Sequence, residues 1–228
     1  MNLWALVPLR QLSGGKERLA GALDPDARRA LVEAMAIDVV MGLRDIPVPA
    51  ERILLVSEDP EVAAFARRLG VGFFHPPLAE QDPLNAALLA ASRRVEGAGA
   101  ETVLMIHADL PAASAEALRE LLAAHQRPAD VHPRAILVAD AAGTGTNCLL
   151  LSPPCAMTLR FGAGSRALHR SAAAAAGLDY REFIHPALAF DIDFPADLDR
   201  LVRPAETQDN AVGAHTRAWI RDFSARRV

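Results

Sequence analysis

Three short and almost wholly apolar runs, Leu3–Val7, Ile53–Ser57 and Thr102–Ile106, constrain this chain more than any other feature. A strand with one wet face alternates apolar and polar residues. A strand that is apolar throughout is covered on both faces. Between the runs lie segments with helical spacing. Leu31, Met35, Val39 and Leu43 recur at i, i+4 in a helix predicted from Asp26 to about Leu43. Asp59-Pro60 offers an N-cap and a first-turn proline for a helix that runs to about Leu69 and stops at Gly70. Pro83 to about Val95, Ala113–His125, Ser165–Ala176 and Pro195–Val202 read as further helices. Val71–Phe74, Arg134–Ala139 and Asn147–Leu151 read as strands, and Phe190–Ile192 as an extended piece. Strands alternating with helices predict an α/β fold of three layers, a mostly parallel sheet with helices on both faces.

Length and composition fit one domain. The 228 residues are 51% hydrophobic, enough for a sizeable core, and the net charge is −4 with no basic block. That balance argues against a nucleic-acid surface but not against binding a single nucleotide. Cys148 and Cys155 form neither a zinc pattern nor a disulfide framework, which fits a reduced cytosolic setting. The start, Met1–Val7, lacks the charge and length of a signal peptide, and Ala172–Ala176 is far too short to span a membrane. The expectation is a cytoplasmic protein. Residues 1–203 read as the domain and 204–228 as linker and tail. Within the latter, 204–214 reads as linker and 215–228 as a tail helix or a disordered tail. Trp219, Ile220 and Phe223 suit docking on the domain or on a second subunit, so a homodimer is open.

The chemistry-bearing residues gather where an open α/β sheet collects ligands, beyond the carboxyl ends of strands. Asp191-Ile192-Asp193 follows the apolar lead-in Ala187–Phe190. On an extended segment its two carboxylates point the same way and repel unless a cation, usually Mg²⁺, lies between them. The plainer reading is a solvated turn before a helix. Asp109, just past the run Thr102–Ile106, suits a third metal ligand; its alternative is a cap for the helix near Ala113. The loop Arg10–Arg18 follows the first strand. Its Gly14 and Gly15 free backbone N–H groups for phosphate, and Lys16 and Arg18 supply charge. It is neither a Walker A loop nor G-x-G-x-x-G. Gly143–Asn147 is either a hairpin turn or an anion cradle. Ser165, after Gly162 and Gly164, is either the N-cap of its helix or an anion ligand at that helix start. Asn85 alone reads as a capping residue. The histidines have no metal-ligand spacing.

In order along the chain, several motifs resemble the CofC/FbiD family, the guanylyltransferases of coenzyme F-420 biosynthesis. They are Val7-Pro8-Leu9-Arg10, Lys16-Glu17-Arg18-Leu19, Leu84-Asn85 and Ala108-Asp109-Leu110-Pro111. Gly145-Thr146-Asn147, Phe161-Gly162 with Ser165, His169, and Asp191-Ile192-Asp193 with Pro195 and Asp197-Leu198 continue the set. No single motif is decisive, but the ordered set is specific and runs from about Leu3 to Val202. The resemblance implies a single-domain fold like that of the molybdenum-cofactor (MobA-like) and nucleotide-diphospho-sugar transferases. It implies GTP as donor, Mg²⁺ as cofactor, and as acceptor 2-phospho-L-lactate, phosphoenolpyruvate or 3-phosphoglycerate. It further implies that Thr146, Gly162 and Ser165 bind the acceptor and that Asp109, Asp191 and Asp193 hold Mg²⁺. Lys16 and Arg18 are then the catalytic cations, and Arg10, Gly14, Gly15 and Asn85 bind nucleotide. A downstream phospholactate-type transferase is the implied partner. The family often has Lys where Arg10 stands, and Pro or a small apolar residue where His107 stands. The alternatives are a nucleotidyltransferase for a molybdopterin or sugar phosphate, and a non-catalytic nucleotide-binding module. The module is expected to lack one of the three aspartates, and none is lacking.

Overall fold

The structure, a computed structural model, describes residues 2–125, 133–203 and 212–225. β1 (Leu3–Pro8) leads through a 3-10 turn (Glu17–Leu19) into α1 (Pro25–Arg44). β2 (Ile53–Val56), α2 (Pro60–Leu69), β3 (Gly72–Phe74), α3 (Pro83–Gly97), β4 (Thr102–Ile106) and α4 (Ala115–His125) follow. After them come β5 (Arg134–Val138), β6 (Cys148–Ser152), α5 (Ser165–Ala175) and β7 (Asp179–Glu182). α6 (Pro186–Ala189), α7 (Pro195–Val202) and α8 (Ala214–Ala225) are next in the chain.

The seven strands form one sheet in the order β3-β2-β1-β4-β6-β5-β7. Every pairing is parallel except those of β6, which runs antiparallel to both β4 and β5. The expected mostly parallel sheet therefore holds, with one reversed strand. The reversal has a local cause. After β5, the Asp140 carboxylate accepts from the backbone N–H groups of Thr144 and Gly145 at 2.8 and 2.9 Å. That tight turn sends the chain straight back, and Asn147 N–H reaches Val138 O at 2.9 Å. The segment 143–147 is thus a hairpin turn, as one of its two readings held.

Both faces are covered. In β1, Leu3, Ala5 and Val7 pack toward α1, α2 and α4, while Leu6 packs toward α3 on the other side. A third cluster joins Leu19, Leu31 and Met35 to Ile192, Leu198 and Leu201, with Trp219, Ile220 and Phe223 of α8 against it. Trp219 Nε1–H also donates to Ala27 O at 3.1 Å, so α8 lies on α1 of its own chain. The linker residues 204–211 lie outside the described residues. Among the described residues no helix is long and apolar enough to cross a membrane.

The helix ends largely match their sequence signals. Asp59 accepts from Glu61 N–H at 2.8 Å, and Gly70 closes α2 in the left-handed region at φ 66°. Other details differ from the expected elements or add to them. Ala187–Ala189 belongs to the one-turn α6, because Pro186 fits a first turn and the His185 imidazole accepts from Ala187 N–H at 3.2 Å. Phe190 leaves α6 in extended backbone, as expected, and the segment Phe190–Ile192 pairs with no strand. β7, a polar sequence at the sheet edge, was not expected. Finally, Ser165 is the first residue of α5, not its cap. Gly164, left-handed at φ 69°, takes the cap position, and the Ser165 hydroxyl is used elsewhere.

Candidate active site

The strand order reverses between β1 and β4: β2 and β3 lie to one side of that pair, and β6, β5 and β7 to the other. Such a switch point opens a crevice at the carboxyl ends of the two strands. A cavity of 440 Å³ lies there, lined by the loop after β1 (Leu9–Gln11, Gly14–Arg18), the loop after β4 (His107–Asp109) and Asp193. Arg10, Gly14, Gly15, Lys16, Arg18, Asp109 and Asp193 are thus brought together. Asn85, Thr146, Gly162, Ser165 and Asp191 do not line this cavity.

Lys16 is its centre. The Nζ donates to Asp109 Oδ2 and, at 2.6 Å, to Asp193 Oδ1, positions 93 and 177 residues away in sequence. Burial alone would lower the Lys16 pKa, but the two carboxylates outweigh it and hold it above the ordinary lysine value. Burial would likewise raise Asp109; Lys16 and then His107 overcome this and leave it below the usual carboxylate range. Lys16 adopts left-handed backbone at φ 56°, ψ 45°, which costs a non-glycine residue about 1–2 kcal/mol. The two ion pairs hold it there. Arg18, at the exposed rim of the cavity, lies 3.6 Å from Asp193 and 4.7 Å over the Phe194 ring.

Packing sets the acidic pair. Ile192 is fully buried between the two aspartates and anchors them to the third core cluster, and Ile192 N–H bonds Asp109 O at 3.3 Å. Asn147 completes the corner. Its Nδ2 donates to Leu188 O and to Asp191 Oδ1, and its O accepts from His107 N–H. The sequence assigns Asn147 no role of its own; an asparagine at the head of an otherwise apolar strand is the available signal. Asp197, at the third position of α7, accepts from Asp193 N–H and Phe194 N–H at 3.1 and 2.8 Å, which fixes the turn behind the pair. The cap of α4 is Ser114, whose Oγ accepts from Ala117 N–H at 3.2 Å. Asp109 is therefore not spent on capping.

Mg²⁺ fits this corner by its donors, although not as a finished cage. Asp109 Oδ1 is buried with no hydrogen-bond partner. The Asp191 carboxyl is pushed up by burial and then by the neighbouring Asp109, which marks a surplus of negative charge. Among the described residues, no three His, Cys, Asp or Glu side chains close around one point. The Lys16 ammonium occupies the space between Asp109 and Asp193.

A second group abuts the first. Ser165 Oγ–H donates to Thr146 Oγ1 at 3.0 Å, and Ser165 N–H bonds Gly162 O at 3.1 Å. Gly162 has φ 117°, a backbone setting that a side chain would strain. The Phe161 ring lies between His107 (5.6 Å) and His169 (4.8 Å), linking this group to the cavity wall. His107 Nε2 is buried and unpartnered. Asn85 does not face the cavity. Its amide accepts from Phe161 N–H at 2.8 Å and donates to Phe161 O and to Asp82, so it secures the loop before Gly162.

Similarity to known proteins identifies the family. The family model described as "Guanylyl transferase CofC like" matches residues 3–221. A phosphoenolpyruvate guanylyltransferase of Rubrobacter xylanophilus is 40% identical over 201 residues, covering 88% of this chain and 94% of that protein. One from Sphaerobacter thermophilus is 39% identical over 203 residues, covering 88% and 93%. Among solved structures, a protein described as a nucleotide-diphospho-sugar transferase from Desulfovibrio desulfuricans shares the fold, with TM-score 0.75 and 15% identity over 98% of this chain and 96% of that one. With its cation-bridged aspartates at the switch point and a family match over nearly its whole length, the chain belongs to the CofC-like guanylyl transferase family.

Proposed function

We propose that this protein transfers GMP from GTP to the phosphate of a small phosphorylated three-carbon acid, with phosphoenolpyruvate the first candidate, as a step of coenzyme F-420 biosynthesis. The observation that carries the reading is the Lys16 ammonium between Asp109 and Asp193, in a 440 Å³ cavity at the sheet's switch point. The names of the relatives support the acceptor.

The acceptor's phosphate oxygen forms a bond to the α-phosphorus of GTP, and the bond from that phosphorus to the bridging oxygen breaks. Pyrophosphate leaves with the electron pair. The nucleophile is already anionic, so no general base is needed. The barrier is repulsion between two polyanions. Asp109, Asp191 and Asp193 would hold Mg²⁺, which when bound neutralises and aligns the phosphates. Lys16 and Arg18 take charge developing on the pyrophosphate, each contact contributing about 2–4 kcal/mol in the transition state. Gly14, Gly15 and Arg10 cradle the triphosphate. Thr146 and Gly162 bind the acid, and Ser165, whose hydroxyl and N–H are spent on these two residues, holds the pair in place. The diphosphate product then passes to a phospholactate-type transferase.

The test incubates protein, GTP and Mg²⁺ with phosphoenolpyruvate, 2-phospho-L-lactate or 3-phosphoglycerate and follows pyrophosphate. Release with one of the acids is expected. Silence with all three, but turnover with a sugar phosphate or molybdopterin, refutes the reading.

A further inference from the structure

His169 is fully buried and both of its ring nitrogens are engaged. Arg160 N–H lies 2.9 Å from Nε2, and a backbone amide can only donate. Nε2 therefore carries the lone pair. In the neutral ring the proton is on Nδ1, 3.0 Å from Thr146 Oγ1. Thr146 Oγ1 thus accepts from His169 and also from Ser165 Oγ–H at 3.0 Å. Two donors fill the two lone pairs of a hydroxyl. What Thr146 has left is its proton, and among the described residues it donates that proton to none.

We propose that His169 is a positioning residue that makes Thr146 a fixed hydrogen-bond donor, so that this subsite selects an anionic oxygen of the phospho-acid over a group that must itself donate. The inference rests on the proposed function for the identity of the acid, but not for the direction of the hydrogen bonds. Burial alone holds the imidazole neutral, its pKa pushed down to about 4, so the arrangement persists through the neutral range. A hydroxyl without His169 and Ser165 behind it could turn and accept. Here it cannot, and an ammonium or amide N–H, which can only donate, meets a donor facing a donor at the same place.

The test has two arms. The first is ¹⁵N NMR of histidine-labelled full-length protein without substrate, with the His169 resonances assigned by their loss in His169→Phe. A protonated Nδ1 and a bare Nε2 are expected. A protonated Nε2 overturns the inference, whatever the enzyme turns over. The second arm compares His169→Asn, whose amide N–H replaces the Nδ1 donor, with His169→Gln, whose amide reaches the Nε2 position instead. His169→Asn should keep the acceptor KM within about threefold of wild type, while loss of one hydrogen bond to a charged group in His169→Gln should raise it about tenfold or more. The KM for GTP should stay put in both. A purely structural role predicts equal damage from the two substitutions, or a shift in both KM values, and either result overturns the inference. If wild-type protein turns over only some other phosphate ester, the functional reading fails. The same comparison with that ester then decides the role of His169.

Discussion

Replacing Lys16 with Met removes the cation from the centre of the site while keeping side-chain length. Lys16 is 12% exposed and Asp109 21%, so their contact behaves largely as a buried pair; Asp193, at 40%, counts as a surface partner. Breaking a buried pair costs about 3–5 kcal/mol, and partial solvation here reduces this to about 2–4 kcal/mol. The Asp193 contact adds at most about 1 kcal/mol. Met bears the same left-handed backbone cost, so that contribution cancels. At about 2–4 °C per kcal/mol for a chain of this size, the apo protein should melt about 5–15 °C lower. Asp109, Asp191 and Asp193 would then be three carboxylates without the lysine. Mg²⁺ should therefore restore more of the melting temperature in Lys16→Met than it adds to wild type, where the ammonium competes for the same oxygens. Thermal melts across a Mg²⁺ series measure both effects. Turnover should nonetheless fall by about 10²-fold or more, since Mg²⁺ does not replace the lysine on the leaving pyrophosphate. A melting temperature unchanged within about 2 °C, with no differential Mg²⁺ effect, would refute the argument that one charge balances this corner.

Three other perturbations address the surrounding frame. Asn85→Leu leaves the buried N–H and C=O of Phe161 without partners; it should cost about 2–4 kcal/mol and raise the KM of the phospho-acid rather than that of GTP, as steady-state kinetics would show. Gly42→Ala places a Cβ 2.4 Å from Ala113 O, in the segment between Asp109 and α4, and should lower stability by about 1–3 kcal/mol in denaturant melts. His125 and His169 are held neutral by burial, with Arg134 also acting on His125, and both pKa values fall from 6.5 to about 4. Between those values the unfolded chain binds more protons than the folded one. Stability should therefore drop as pH falls from 6.5 toward 4, by about 2 kcal/mol for each histidine at pH 5. Flat stability from pH 7 to 5 would contradict this.

Much of the frame is legible in the sequence because it rests on local signals. Apolar runs mark β1, β2 and β4, and Asp59-Pro60 with Gly70 brackets α2 to the residue. The direction of β6 is not legible in the strand itself, since a strand buried on both faces reads the same either way; only the hairpin reading of Gly143–Asn147 points to it. β7 (Asp-Tyr-Arg-Glu) is hidden because an edge strand bonded on one side needs no apolar run. In the site, Asp109 could be found at the end of a central strand, and Asp191 and Asp193 from their two-residue spacing. That Lys16 would bridge two of these three carboxylates could not, because the contacts span 93 and 177 residues. Likewise Ser165 has the composition of a cap, but Gly164 enters the helix in left-handed backbone and frees the hydroxyl for Thr146. Asn85 sits where a helix begins and spends its amide on Phe161, a contact 76 residues distant.

The central claim is that a phosphate oxygen of a small acid displaces pyrophosphate from GTP at this corner. The most direct measurement is ³¹P NMR of a reaction of the full-length protein with GTP, Mg²⁺ and phosphoenolpyruvate. The account predicts a pair of mutually coupled phosphorus resonances, one from the guanylyl group and one from the acid, growing in step with pyrophosphate. Pyrophosphate or inorganic phosphate appearing without that coupled pair would mean hydrolysis instead of transfer, and would contradict it.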